Sequence, residues 1–267
     1  MTRITWLTDL HLDFVEPESG IADFSRRVAA SPSDVVLVGG DIGTAASLEQ
    51  YLRQLEAALR RPIYFVLGNH DFYGGRIVDV RRGAADLSRT ARWLHWLPAA
   101  GIVELDAETS LVGHDSWADG RFGTGVRSRF LLNDFFCVYD FQGKSHEDWF
   151  KAIAALGDEA AAYVRDVLPR AFARSRRVVL LTHVPPFAEA AWHRGRMSDE
   201  EALPHFACRA VGDALNEIMA TRPDRYLTVL CGHTHSPGFV QVRPNLEVHT
   251  GAAEYGAPAI QPDVVLT

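Results

Sequence analysis

Short runs of apolar residues recur along the chain, and longer segments with helical spacing of apolar and polar residues separate them. The runs are continuous and mostly β-branched, a pattern typical of strands that are covered on both faces. Five runs of this kind are ITWL (4–7), VVLV (35–38), IYFVL (63–67), VVLL (178–181) and YLTVL (226–230). They predict the strands of a central sheet.

Two of the intervening segments give clear helix patterns. In residues 47–60, leucines recur at helical spacing while glutamate and arginine take the other face. Residues 145–173 begin with Ser145, a suitable N-cap, and continue with acidic residues, although Gly157 favours a break. Strands that alternate with helices predict an α/β architecture with a largely parallel sheet.

The C-terminal part of the chain has a different pattern. Two short runs, 238–242 and 246–250, flank an Arg-Pro-Asn turn and predict paired strands, and residues 263–266 favour one more. Residues 101–105 and 109–113 form a similar pair. These pairs predict that the sheet structure is mixed rather than purely parallel.

One long aromatic segment, about 114–145, fits neither pattern and predicts an insertion with little regular structure. We place it within a single domain of residues 1–267, because no linker, repeat or low-complexity tract divides the chain. Its aromatic side chains either pack the insertion onto the domain, their commoner role, or cap a site and contact a substrate. Arg121 could hold a phosphate, since guanidinium suits bidentate contact, or it could equally be solvated.

Composition narrows the classes of function. The chain has 267 residues, is 47% hydrophobic and carries a formal net charge of −7, so it can bury a large core. The acidic balance and the lack of a long basic run argue against a general nucleic-acid-binding surface. Three widely spaced cysteines argue against a disulfide scaffold and favour a reducing compartment.

The first residues, MTRITWLTDLHLDF, do not resemble a signal peptide, since they lack a long apolar core and a small-residue cleavage site. No apolar stretch reaches the length needed to span a membrane. From these features we expect a soluble, cytoplasmic protein with no membrane partner.

Residues able to bind a metal follow each of the five apolar runs at once. The carboxyl ends of parallel strands lie along one edge of a sheet, where loops form the ligand-binding crevice. In chain order these residues are Asp9, His11, Asp41, Asn69, His70, Asp71, His183, His233 and His235. One such group would be ordinary turn chemistry, but its recurrence at five run ends predicts a shared site.

Two of these run ends carry a pair of residues spaced two apart. Asp9 and His11 are expected to project to the same side at the end of an extended segment, and so are His233 and His235. Each pair would then form a chelating unit.

With His70 set aside, the donors are two carboxylates, four imidazoles and one amide. This set is too large for one tetrahedral zinc and suits two ions with open positions. The mixture of nitrogen and oxygen favours manganese, iron, zinc or cobalt, whereas magnesium or calcium alone would choose more oxygen. The sequence therefore predicts two divalent or transition-metal ions as cofactors.

Six histidines lie outside the run ends: His95, His114, His146, His193, His205 and His249. A surface or core position is the ordinary role of such residues. His114 and His249 are somewhat better placed for an auxiliary role, and none of the six is assigned as a ligand.

The motifs DLH, GD, GNHD, an isolated His and GHTH, in this order between residues 9 and 235, resemble the motif series of the calcineurin-like metallophosphoesterases. Five ordered blocks are far more specific than any single block. The segment DLHLD also resembles a ligand block of arginase-like hydrolases, but their further blocks are missing here. The resemblance implies a four-layer αββα sandwich of two mixed sheets flanked by helices.

The resemblance also implies a role for each motif residue. The implied ligands are Asp9, His11 and His235 for the first metal, Asn69, His183 and His233 for the second, and Asp41 as the bridge between them. His70 would protonate the leaving oxygen as an imidazolium, with Asp71 nearby as an orienting or charge-stabilising partner. Asn69, His70 and Arg121 are the candidate substrate contacts.

A family member of this kind would be a phosphatase or phosphodiesterase, in which a metal-bridging hydroxide attacks a phosphate mono- or diester directly. The metals would attract a small phosphoester or a nucleotide, which agrees with the absence of a basic stripe. A non-catalytic scaffold of the same fold that binds a protein partner would be expected to lack some of these residues. A metal-dependent nuclease would need a basic groove. The sequence leaves open the physiological substrate, the native metal and the oligomeric state.

Overall fold

The computed structural model describes residues 2–16 and 19–264. Its strands are β1 (Ile4–Leu7), β2 (Val35–Val38), β3 (Ile63–Phe65), β4 (Leu94–Trp96), β5 (Val103–Asp106), β6 (Thr109–His114), β7 (Arg177–Thr182), β8 (Trp192–His193), β9 (Arg196–Met197), β10 (Tyr226–Cys231), β11 (Gly238–Arg243) and β12 (Leu246–Thr250). Its α-helices are α1 (Ser19–Ala30), α2 (Leu48–Leu59), α3 (Ile77–Thr90), α4 (Leu97–Ala100), α5 (Asp134–Cys137), α6 (His146–Phe172), α7 (Leu203–Phe206) and α8 (Arg209–Ala220).

The strands form two main sheets and one small hairpin. Four strands pair in the order β1-β2-β3-β4, all parallel. Six strands pair in the order β11-β12-β10-β7-β6-β5, parallel in the centre and antiparallel at both edges. Strands β8 and β9 pair only with each other among the described residues.

The apolar runs are continuous because alternate residues of each strand face different cores. In β2, Val36 and Val38 pack with α1 and α2, while Leu37 packs toward the six-stranded sheet. In β7, Leu181 faces the four-stranded sheet, while Leu180 packs with α6 and α8. The order of layers is therefore helices, sheet, sheet, helices, and the predicted αββα sandwich is confirmed.

All five predicted central strands are present, and so are the two predicted strand pairs that make the second sheet mixed. The third strand is shorter than its apolar run and ends at Phe65. Only the first two residues of the predicted strand at 263–266 are described, and they lie outside any strand. The remainder of that prediction lies outside the described residues.

The helix that begins after Ser145 is confirmed, but the predicted break at Gly157 is wrong. The Ser145 side chain accepts a 3.2 Å hydrogen bond from the Asp148 N–H, as an N-cap should. The helix then continues through Gly157, where a Cβ would lie 2.5 Å from the Cβ of Asp119. Glycine at this position lets the loop of Asp119 pack directly against the helix.

The predicted insertion contains one short α-helix and one 3-10 turn, Gly125–Arg127. Trp117 and Phe141 are buried in the core next to α6, whereas Phe136 and Tyr139 are exposed. Part of the segment therefore has the packing role. No helix in residues 2–16 and 19–264 combines the length and apolar character needed to cross a membrane.

Candidate metal centre

The seven predicted ligands converge at an edge shared by the two sheets. Asp9 and Asp41 follow strands of the four-stranded sheet, and His183 follows a strand of the six-stranded sheet. Each of the three residues exposes only 1% of its surface to solvent. The sequence predicted one sheet edge, and the structure instead builds the site where the strand ends of both sheets meet.

The first donor set consists of Asp9, His11, Asp41 and His235, each of which offers one ligand atom within 4.8 Å of the others. The Nε2 atoms of His11 and His235 are 3.0 Å apart. An oxygen of Asp9 lies 3.5 Å from His235 Nε2, and an oxygen of Asp41 lies 3.7 Å from His11 Nε2. Four donors from three loops thus face one small volume.

The second donor set consists of Asp41, His183 and His233, and Asn69 joins it through its side-chain oxygen. Asn69 Oδ1 lies 3.0 Å from His183 Nε2 and 2.9 Å from His233 Nδ1. The other carboxylate oxygen of Asp41 lies 3.4 Å from His183 Nε2. Asp41 is therefore common to both sets, with one oxygen directed to each.

Backbone carbonyls fix which ring nitrogens face the second set. His183 Nδ1 lies 2.8 Å from the carbonyl of Gly39, and His233 Nε2 lies 2.8 Å from the carbonyl of His205. A carbonyl can only accept, so each of these nitrogens carries the ring proton in the neutral imidazole. The opposite nitrogens, 3.2 Å apart, therefore present lone pairs to each other.

Facing lone pairs repel unless a positive charge lies among them. Burial lowers the pKa of His233 well below its ordinary value, so this ring does not supply that charge. The amide of Asn69 donates elsewhere and turns its oxygen toward the same point. A cation satisfies all three donors, and the residues present therefore fit a metal ion.

The electrostatics of the first set lead to the same conclusion. Burial raises the pKa of Asp9 to about 6 and that of Asp41 to about 7. Burial also lowers the pKa of His235 to about 4 and that of His11 further still. Because His11 and His235 are neutral at pH 7, they do not offset the charge of the ionised carboxylates, and a bound cation would do so at close range.

The ligand pairs do not lie on extended backbone, contrary to the prediction. Positive φ angles occur at Asp9 (50°), His11 (43°), Asp41 (50°), His233 (70°) and His235 (62°). The left-handed conformation is uncommon for residues other than glycine and tends to occur at functional sites. Tight left-handed turns, rather than strand alternation, bring each pair together.

His70 lies beside both donor sets and belongs to neither. Its ring stacks on Tyr73, with centroids 4.3 Å apart, and lies 4.6 Å from the ring of His11. Burial lowers the pKa of His70 to about 4, while the charge of Asp134 acts in the opposite direction. The ring is therefore neutral at pH 7 in the chain alone, and not the imidazolium that the sequence suggested.

Asp71 is fully buried and serves the backbone. One of its oxygens accepts the N–H groups of Ile42 and Gly43, each at 2.9 Å, and the other accepts the Gly68 N–H at 2.8 Å. None of its hydrogen bonds reaches the ring of His70 among the described residues. These contacts join two ligand-bearing loops, so Asp71 positions those loops, whereas the expected role was to orient His70 or stabilise its charge.

Arg121, the candidate phosphate contact, lies away from this site. Its guanidinium pairs with Asp119 at 3.2 Å and with Asp158 at 2.8 Å. It lines a separate surface depression and does not line the cavity beside His70. The prediction of Arg121 as a substrate contact is therefore not supported, because its guanidinium is already paired with the carboxylates of Asp119 and Asp158.

Two residues that sequence reasoning missed support the second donor set. Asp134, buried in the insertion, accepts 2.8 Å and 2.6 Å hydrogen bonds from Asn69 Nδ2 and the hydroxyl of Tyr73. His205 supplies the carbonyl that holds His233. The only signal for Asp134 in the sequence is an acidic residue within the apolar and aromatic stretch LLNDFF.

A cavity of about 390 Å³ opens onto both donor sets. Its other walls come from the loop after β3, the insertion, the β8–β9 hairpin, the segment from that hairpin through α7, and the C-terminal loop. They combine aromatic, aliphatic, charged and small polar side chains: Tyr73, Phe130, Leu132, Asn133, His193, Arg194, Arg196, Met197, Ser198, Asp199, Glu201, Ala202, Phe206 and Tyr255. The size fits a small molecule, and the metal ligands form its floor.

Solved structures with the same fold have very different sequences. Phosphopantetheinyl hydrolase from Mycobacterium tuberculosis is 13% identical, with a TM-score of 0.66, and the match covers 95% of this chain and 90% of that one. A dimetal phosphatase from Danio rerio is 12% identical, with a TM-score of 0.61 and coverage of 96% and 89%. No curated protein matches the sequence.

The family assignment rests on the sequence over most of its length. The family model described as calcineurin-like phosphoesterase matches residues 2–237, a range that contains every residue of both donor sets. The chain therefore belongs to the calcineurin-like phosphoesterase family.

Proposed function

We propose that this protein is a metal-dependent hydrolase of phosphate esters that uses two cations. The observation that carries the proposal is the position of Asp41, whose two oxygens lie 3.7 Å from His11 Nε2 and 3.4 Å from His183 Nε2. The first cation would be held by Asp9, His11, Asp41 and His235, and the second by Asp41, Asn69, His183 and His233.

When bound, two such cations supply Lewis acidity and a water of lowered pKa for direct attack on phosphorus. The chain's own residues set the charge of the site. Asp9 and Asp41 offset only part of the charge of two divalent ions, and the histidine and asparagine donors are neutral. The site is therefore locally positive and attracts an anionic ester, although the protein as a whole carries a net charge of −7.

His70 is the residue we assign to the leaving group. It lines the cavity beside the donor sets, and the Tyr73 stack fixes the plane of its ring. A phosphoester bound next to it brings negative charge, which raises the pKa of the ring from about 4 toward the range in which it can carry a proton. The protonated ring can then donate to the leaving oxygen.

The test is a panel of esters assayed after metals have been stripped and then restored singly as Mn²⁺, Zn²⁺, Fe²⁺ or Mg²⁺. p-Nitrophenyl phosphate and bis(p-nitrophenyl) phosphate separate monoesterase from diesterase activity. We expect turnover that requires added metal and is lost in Asp41→Ala. Protein that holds two ions per chain and hydrolyses no ester would favour the scaffold alternative over the proposed activity.

A further inference from the structure

The β8–β9 hairpin is fixed to the loop that carries two of the metal ligands. Its pairing leaves Arg194 and Gly195 as a two-residue turn. His193 Nδ1 lies 3.2 Å from the carbonyl of Thr234, the residue between His233 and His235. The N–H of Gly195 donates to Ser236 Oγ at 3.1 Å. The turn is thus held at a defined position beside the site.

Arg194 is an unfavourable residue for this turn. Both central residues have positive φ, 51° at Arg194 and 74° at Gly195, as a type I′ turn requires. Asn, Asp and Gly are the residues that such a first position favours, because a larger side chain is strained there. The backbone does not need an arginine at position 194, so the strain indicates a use for its side chain.

The positive charges of the hairpin are available to a ligand. Arg194 and Arg196 are exposed and line the cavity that opens onto the donor sets. Neither arginine forms an ion pair within the described part of the chain. Two guanidinium groups therefore lie at the rim of the cavity with no carboxylate partner in residues 2–16 and 19–264.

The two acidic residues at the same rim are already engaged by the backbone. Asp199 accepts the N–H of Ala202 at 3.0 Å. Glu201 accepts the N–H of Arg129 at 2.8 Å. Among the described residues, neither carboxylate forms an ion pair with Arg194 or Arg196, and each is directed toward a backbone donor instead.

We propose that Arg194 and Arg196 form a second anion subsite, and that the substrate is a phosphoester whose organic part carries another anionic group. The inference rests on the proposed function, because the donor sets would hold the phosphate that is cleaved. A guanidinium group can form two parallel hydrogen bonds to two oxygens of either a phosphate or a carboxylate, so either group can occupy the subsite. The aromatic rings of Phe206 and Tyr255 line the cavity and would contact the apolar body of the substrate.

The test compares esters that differ only in the second charge. Propyl phosphate has no second charge, 3-carboxypropyl phosphate has a carboxylate, and 1,3-propanediol bisphosphate has a second phosphate. Homologues with six carbons test a longer distance between the two anionic groups. If the protein cleaves only diesters, the methyl diesters of the same compounds are used. We expect kcat/KM to be at least about tenfold higher for one or both doubly charged esters. Equal kcat/KM across the series in the wild type overturns the proposal while leaving the phosphoesterase activity intact.

The variant Arg194→Asn puts a residue that the turn favours at the strained position. Its Tm should be equal to or higher than that of the wild type, while the preference for a second anion falls by about tenfold. Arg196→Ala should also reduce the preference. The matched control is Arg82→Ala, which removes the same charge from an exposed residue whose one ion pair among the described residues is with Asp79. Equal loss in the control would mean that net charge, and not the subsite, sets the preference.

A binding measurement separates this proposal from the proposed activity. Calorimetry on manganese-loaded protein compares propane-1,3-bisphosphonate with propylphosphonate, neither of which is hydrolysed. Tighter binding of the bisphosphonate to the wild type, reduced in Arg194→Asn, supports the subsite even if no ester is turned over. Equal binding of the two phosphonates to the wild type overturns it.

Discussion

The side-chain amide of Asn69 donates a 2.8 Å hydrogen bond to Asp134, a buried residue of the inserted segment. The same carboxylate oxygen accepts a 2.6 Å hydrogen bond from the hydroxyl of Tyr73. Because the amide nitrogen is held on one side, the amide oxygen faces His183 and His233. A residue outside every family motif thus orients a donor of the second set.

Removal of this carboxylate should weaken binding of one cation only. In Asp134→Ala the amide of Asn69 can rotate, so we expect affinity for the second cation to fall about 10- to 100-fold, the usual effect of losing a partner behind a ligand. Titration of stripped protein with Mn²⁺, followed by calorimetry, resolves the two sites. Affinity at the first site should change little.

Asp140→Ala is the matched control, since Asp140 lies in the same segment but accepts the N–H of Ile77 at 2.8 Å, at the start of α3. It should leave both metal affinities unchanged. Equal weakening in the two variants would indicate a general loosening of the segment, and would contradict an orienting role for Asp134.

Asp41 and Asp9 should differ in how many ions they control. Asp41 approaches both donor sets, whereas Asp9 lies only in the first. We expect Asp41→Ala to lose both ions and all activity. Asp9→Ala should keep about one ion per chain, because all four donor side chains of the second set remain, although the hydrogen bond from the His233 N–H to Asp9 is lost. Elemental analysis of purified variants counts the metal directly. Full occupancy in Asp41→Ala would contradict the bridge.

The role assigned to His70 predicts a dependence on the leaving group. His70→Ala leaves both donor sets complete, so metal content should be unchanged. Alkyl esters, which leave as strongly basic alkoxides, should slow by about 10²- to 10⁴-fold, while p-nitrophenyl esters slow much less. Comparison of kcat across a series of leaving groups measures the difference. An equal loss on both classes would show that His70 acts in some other way.

The family pattern predicted which residues are donors better than it predicted the backbone conformation at those residues. Asp9, Asp41 and His183 were predicted because each directly follows an apolar run, and that relation is visible in one dimension. Their approach depends on two features that spacing does not encode, namely the left-handed turns at Asp9 and Asp41 and the meeting of two sheets. A pattern of strand ends identifies the edge, and only packing decides which edges face each other.

The supporting residues could not be predicted for a related reason. Arg121 and Asp134 are both polar residues in the same aromatic segment, and of the two only Arg121 was a candidate, because guanidinium suits a phosphate. In the fold, Arg121 is paired with Asp119 and Asp158, while Asp134 reaches Asn69. Tertiary contacts of an irregular segment leave no periodic trace, so residue chemistry alone did not identify Asp134.

The stabilisation by metal should depend on pH, because burial raises the pKa of Asp9 to about 6 and that of Asp41 to about 7. The unfolded values are about 4, so these carboxyls contribute stability that is fully present below about pH 4 and is lost as pH rises through about 6 and 7. His235, whose pKa is lowered to about 4, is already neutral across most of this window.

Bound cations compensate the charge of the ionised carboxylates. The gain in Tm on adding saturating Mn²⁺ should therefore be larger at pH 8 than at pH 5. The expected difference is several degrees, or roughly 1 to 2 kcal/mol. Differential scanning fluorimetry at four pH values measures this gain. An equal gain at every pH in the wild type would contradict the electrostatic account of the site.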